Sequence, residues 1–186
     1  MLLDHTRATL VEVLLGFGIA LVAGLAAGIA IDGSRIVERA IYPLLIASQT
    51  IPMVVLAPLF LIWFGYGLFP KVLITALVAF FPLAVNTVDG LRSTDREILS
   101  LLRSMGASGW ERFRLAKVPS ALPSIFSGAR LAVTFSVIGA VFGELVGARE
   151  GLGYLMSRSA AQFETSRVFA AIFILALMGM GLFVLV

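Results

Sequence analysis

The chain has 186 residues, 60% of them hydrophobic and only 13% charged, with a formal net charge of +3 and a mean hydropathy of +1.03. An ordinary soluble domain is roughly half apolar and a quarter charged, so this composition argues against a water-soluble fold. Cysteine is absent and His5 is the sole histidine. Disulfide, thiol and cysteine–metal chemistry are therefore excluded, and no His/Asp/Glu cluster speaks for a metal or acid–base enzyme.

Uncharged stretches run from Glu12 to Asp32, from Arg39 to Lys71, from Lys71 to Asp89, and onward from Arg167. Crossing a hydrocarbon core takes about 20 apolar residues as a helix, and these runs lack the period-two alternation of barrel strands. The expectation is an all-α membrane protein of about five transmembrane helices. Asp4 and Glu12 interrupt any signal-peptide pattern, so the first stretch reads as a retained span. The pI near 9.8 could suit nucleic acid, but the basic residues lie between hydrophobic runs, and no nucleic-acid partner is expected.

The first span, about Val11 to Ile31, carries a Gly24-Leu-Ala-Ala-Gly28 pattern that permits close helix approach within the bundle. A polar turn follows at Asp32 to Arg35. The second span, Ile36 to Phe64, holds Pro43, Pro52 and Pro58 and is expected to be irregular in its middle. The third runs from about Leu68 to Val88. Beyond it Arg92, Arg96, Arg103, Arg112, Arg114 and Lys117 form the most basic stretch, which the positive-inside rule places in the cytoplasm. The fourth span, about Leu122 to Val146, contains Arg130, expected near the cytoplasmic interface, and Glu144, expected near the outer end. An amphipathic segment, 147–167, lies outside, and the fifth span is Val168 to Val186. The whole chain, 1–186, reads as one transmembrane domain with a cytoplasmic loop at 91–119.

Two helix starts are legible in that loop. Thr94 to Glu97 and Ser108 to Glu111 both have the form of a capping box. Gly106 can take the left-handed conformation that ends a helix, and Pro119 is expected to stop the next one. A short helix, Gly109 to about Lys117, then presents Trp110 and Phe113 beside Arg112 and Arg114. Docking into a protein groove and lying on anionic lipid both suit this composition.

Ser100-Leu-Leu-Arg-Ser-Met-Gly106 followed by Ala116-Lys-Val-Pro119 resembles the cytoplasmic motif of ABC importer permeases, with glycine and proline at the family's spacing. It departs from the family at Ser100, Leu101 and Leu102, where Glu-Ala-Ala is usual, and at Ala116 and Val118. Ser48-Gln-Thr-Ile-Pro-Met, Ala57 to Gly65, Phe80 to Leu91 and Gly147 to Tyr154 resemble the nitrate/sulfonate/taurine branch. Within it, the segments at Ser48 to Pro52 and Asn86 to Gly90 are most similar to permeases for hydroxymethylpyrimidine, a thiamine precursor, or riboflavin.

The resemblance implies a type I ABC importer permease fold lacking the family's usual N-terminal helix and basic tail, hence a truncated permease. It also implies a multi-pass protein of the bacterial plasma (inner) membrane. The implied partners are ABC ATPase subunits, an extracytoplasmic substrate-binding protein, a second permease chain as a homodimer, and the lipid bilayer. No cofactor is expected on this chain, which lacks a phosphate-binding G-x-x-x-x-G-K-[ST] loop; ATP and Mg would be used by the partner. Gly106, Ala107, Ser108, Trp110, Glu111, Phe113 and Pro119 are the expected ATPase-coupling residues. Ser48, Gln49, Thr50, Asn86, Thr134 and Ser136 are expected along the substrate path, and Glu144 at a gate, in contact with the opposite subunit or the outer gate. No catalytic or metal residues are expected. A sulfonate, taurine or nitrate importer is the alternative within the family. An ion-coupled secondary transporter is the rival outside it, and Arg130 and Glu144, about four turns apart on one helix, are too distant to build its ion site.

Overall fold

The computed structural model describes residues 2–186, and all regular elements among them are helical. Helix α1 (Leu2–Gly33) is 32 residues long, starting well before the expected Val11. It is followed by α2 (Arg35–Thr50), α3 (Met53–Phe64) and α4 (Leu68–Arg92). Short α5 (Arg96–Ser104) and α6 (Gly109–Arg112) lie on the cytoplasmic side, and a π-helical turn, Phe113–Lys117, leads into α7 (Val118–Leu145). The chain ends with α8 (Leu152–Ala161) and α9 (Thr165–Leu185).

Four helical stretches among the described residues are long and apolar enough to cross a membrane: α1, α4, the continuous run Gly109–Leu145, and α9. The expected second span, irregular in its middle, is two helices meeting at a bend of 109°. Ile51 precedes a proline and is extended, with φ −85° and ψ 119°, as the ring of Pro52 requires. At 16 and 12 residues these helices rise about 24 and 18 Å, so neither alone matches a core of about 30 Å.

The core is the α1–α4–α7 trio, with α4 in the centre. Lipid tails are as apolar as leucine, so helices associate by close packing rather than by a hydrophobic drive. That requirement explains the small residues along α1. Gly24 rests on Leu83 and Gly28 on Thr87, where an added Cβ would stand 2.5 Å from the threonine Cβ. The small-residue pattern thus serves packing inside the chain. Ala20, Ala79, Leu83, Ala129 and Ala132 continue the seam.

Charged groups mark the two ends. At the cytoplasmic end Lys117 pairs with Asp32 at 2.7 Å and Arg92 with Glu38 at 3.0 Å. At the other end Lys71 donates to Glu12. Glu12 and Asp32 lie 20 residues apart on α1, about 30 Å along the axis, which is the thickness of a hydrocarbon core. Helix α9 is peripheral: Ala171 is its one buried residue.

Candidate functional site

The cytoplasmic segment is built by three local devices. Asp95, not Thr94, caps α5, accepting the Glu97 amide at 2.8 Å, while the Thr94 hydroxyl is turned back to the Leu91 carbonyl. At the far end Gly106 has φ +84°, its amide reaches the Arg103 carbonyl, and the Ala107 amide reaches Leu102. This is the left-handed reversal that ends a helix and satisfies its last carbonyls. Ser108 and Glu111 then form a reciprocal capping box, at 3.2 and 2.7 Å.

The helix that follows does not stop before Pro119, as its sequence leads one to expect. It runs unbroken into α7, because Phe113–Lys117 widens into a π-turn in which the Val118 amide bonds to the Phe113 carbonyl. Widening the turn shifts hydrogen bonds to five residues back just before a residue with no amide to offer. Trp110 and Phe113 stack with centroids 5.6 Å apart, and Trp110 is 68% exposed. Leu115, Leu101 and Met105 add exposed apolar surface beside Arg112 and Arg103. Lys117 fastens the base of this segment to Asp32 of α1.

The polar residues of the expected substrate path do not bond to one another. Ser48 and Thr50 donate to the carbonyls of Leu45 and Ala47, Asn86 to Pro82, and Thr134 to Arg130. Gln49 is exposed at the end of α2. Ser136 is fully buried, with its hydroxyl donated to Ala132, and faces no open space within the protomer. Arg130 lies 13 residues from Lys117 and 14 from Glu144, about 20 Å from either, so it stands at mid-height rather than at the cytoplasmic interface. Its guanidinium sits over the Phe183 ring of α9, 5.7 Å from the centroid.

Glu144 lies near the outer end of α7, as expected, and is 1% exposed and held within its own chain. Its Oε1 accepts the Thr9 hydroxyl at 2.6 Å and its Oε2 the Gly153 amide at 2.5 Å, while the Leu152 amide donates to Thr9. Glu12 and Lys71 are buried beside this network, and Glu12 Oε2 has no hydrogen-bond partner among the described residues. Thr9 and Glu12 of α1, Lys71 of α4, Glu144 of α7 and the start of α8 are thus pinned together at the outer end. Next to them a cavity of about 790 Å³ is lined by Arg7, Glu12, Tyr66, Lys71 and Arg149 among others. Sequence reasoning missed the Glu12–Lys71 pair, whose one available signal was a lone acid and a lone base inside otherwise apolar spans.

Residues 20–186 match the family described as the inner membrane component of binding-protein-dependent transport systems. The chain belongs to this family. It is 49% identical over 175 residues to the formylaminopyrimidine transport permease protein ThiX of Halalkalibacterium halodurans, covering 94% of the chain and 70% of that protein. It is 42% identical over 185 residues to the riboflavin transport system permease protein RibX of Chloroflexus aurantiacus, covering 100% of the chain and 69% of that protein. An inward-facing structure of the MetNI methionine ABC transporter superposes with a TM-score of 0.85 at 19% identity, over 97% of this chain and 90% of that one, which shows the shared fold. The protein is therefore a multi-pass permease subunit of an ABC importer in the bacterial inner membrane. It is a transport subunit and not an enzyme; an ATPase subunit and an extracytoplasmic binding protein are its partners.

Proposed function

We propose that this permease imports a flat, neutral heterocycle, a pyrimidine precursor of thiamine or a flavin, and works as a homodimer. The observation that carries the reading is the 49% identity to a formylaminopyrimidine permease across nearly the whole chain. The interior supports it. An anion path needs cationic groups turned towards the substrate, whereas Lys71 and Lys117 are paired with carboxylates and Arg130 lies over a ring. Two partner ATPases use ATP and Mg²⁺, and their closure acts on the Gly106–Lys117 segment, turning the pore outward to receive substrate from the binding protein. Of the path residues, Gln49 is exposed and Asn86 and Thr134 are half-buried; Ser136 is left out for its burial.

The test is uptake by the reconstituted complex of permease, ATPase and binding protein. Labelled formylaminopyrimidine, hydroxymethylpyrimidine or riboflavin should accumulate in an ATP-dependent manner, and taurine and nitrate should not. Uptake of taurine or nitrate with none of the heterocycles overturns the substrate class.

A further inference from the structure

A second cleft, of about 290 Å³, opens at the outer end between the start of α1, α8 and the first turn of α9. Its wall includes His5, Arg149, Tyr154, Arg158, Ser159 and Arg167. Three arginines line it, with no carboxylate among the described lining residues. Arg167 is paired with Glu164 at 2.5 Å, Arg158 bonds only the neutral Tyr154 hydroxyl at 2.7 Å, and Arg149 has no ionic partner among the described residues. Ser159 is 2% exposed, and its hydroxyl makes no hydrogen bond among the described residues. With Ser159 in the cleft wall and its oxygen not fully enclosed, that hydroxyl is available to a ligand there. His5 accepts the Gly151 amide at Nδ1, which leaves the ring proton on Nε2 as a donor. With Gln162 the one side-chain amide in its wall, the cleft still carries a surplus of donors and positive charge, and an oxyanion is the ligand that answers it.

Its height in the membrane selects the source. Arg167 stands in the first turn of α9, an apolar helix of which Ala171 is the one fully buried residue. That turn is where the apolar span gives way to water, which is headgroup level. Phe163, 91% exposed, and Phe169, 67% exposed, flank the same corner and suit acyl chains. Arginines are also sparse on the outer side of membrane proteins, so three around one cleft need a local anion. We propose that this cleft binds the phosphate of an anionic phospholipid headgroup in the outer leaflet, securing the α8–α9 corner to the start of α1.

The test places a photo-crosslinking benzoylphenylalanine at Phe163 of the assembled transporter, in bilayers of equal parts phosphatidylglycerol and phosphatidylcholine. Lipid adducts are read by mass spectrometry. Adducts with phosphatidylglycerol should exceed those with phosphatidylcholine by about tenfold, the preference expected of two or more basic groups at a charged surface. The preference should collapse in Arg149→Gln/Arg158→Gln and weaken several-fold in Ser159→Ala. Retention of the ATPase partner verifies that each variant is folded; should the double variant fail to assemble, Arg158→Gln and Ser159→Ala decide. Equal capture of the two lipids by the unaltered protein overturns the proposal, as does an unchanged preference in the folded variants. Loss of the preference on adding millimolar inorganic phosphate would assign the cleft to a free anion instead. Unchanged lipid capture with weakened binding-protein affinity would assign it to that partner's acidic surface, and either result sinks the lipid reading.

Discussion

Both oxygens of Glu144 are occupied by donors from other elements, the Thr9 hydroxyl and the Gly153 amide. Truncating it leaves the Gly153 amide unpaired, at about 1–3 kcal/mol, and moves the Thr9 hydroxyl back to the His5 carbonyl 3.2 Å away. Glu144→Ala should therefore lower the melting temperature of the purified permease sharply. Glu144→Gln, which keeps one acceptor, should lower it less; equal melting for Ala and wild type would remove the network from the account of the outer end. Glu12 and Lys71 call for a different comparison. Breaking a buried ion pair by removing one member costs about 3–5 kcal/mol, whereas replacing both by apolar groups is often neutral. Lys71→Met alone should destabilise strongly, and Lys71→Met with Glu12→Leu should recover most of the loss in the same melting experiment. Partners 59 and 135 residues apart in sequence cannot be matched by periodicity. Glu144 was legible as an intramembrane carboxylate, but its partners were not.

At the scale of the element, the cytoplasmic segment was the most readable part of the chain. Gly106, Ser108 and Glu111 act through contacts within four residues, so their roles are written locally. Pro119 misled because a proline can be met by widening the preceding turn as well as by ending the helix, and only the hydrogen-bond pattern distinguishes the two. Space around Gly106 is empty, so a side chain there meets no clash, and the cost is the left-handed backbone alone. That strain is about 1–2 kcal/mol for a residue with a Cβ. Gly106→Asp should insert normally yet retain the ATPase partner poorly, or retain it without hydrolysis being stimulated by loaded binding protein. Trp110→Ala removes a bare anchor of the kind that contributes about 2 kcal/mol or more at an interface. It should weaken the ATPase affinity by about thirtyfold or more, the equilibrium equivalent of that energy. Wild-type behaviour in both variants would favour a segment that lies on lipid.

For the whole molecule, the number of long spans was visible in hydropathy, whereas their packing order was not. The apolar character of α4 does not mark it as the centre, since α9 is more apolar still and sits at the edge. The contrast should appear in hydrogen exchange of the permease in detergent. Amides of α4 should exchange slowest, α9 faster, and the break at Ile51–Pro52 fastest among the membrane segments, because local opening follows burial. Uniform protection of α4 and α9 would contradict that ordering. The unbroken run from Gly109 to Leu145 has a mechanical consequence. Its 37 residues make a rod of about 55 Å, so a 5° tilt imposed at Trp110 displaces the Glu144 end by about 5 Å. The rod is a lever reaching from one side of the membrane to the other. Lys117 on Asp32 is the bearing nearest its driven end, and the π-turn is the joint at which the stroke is either transmitted or absorbed.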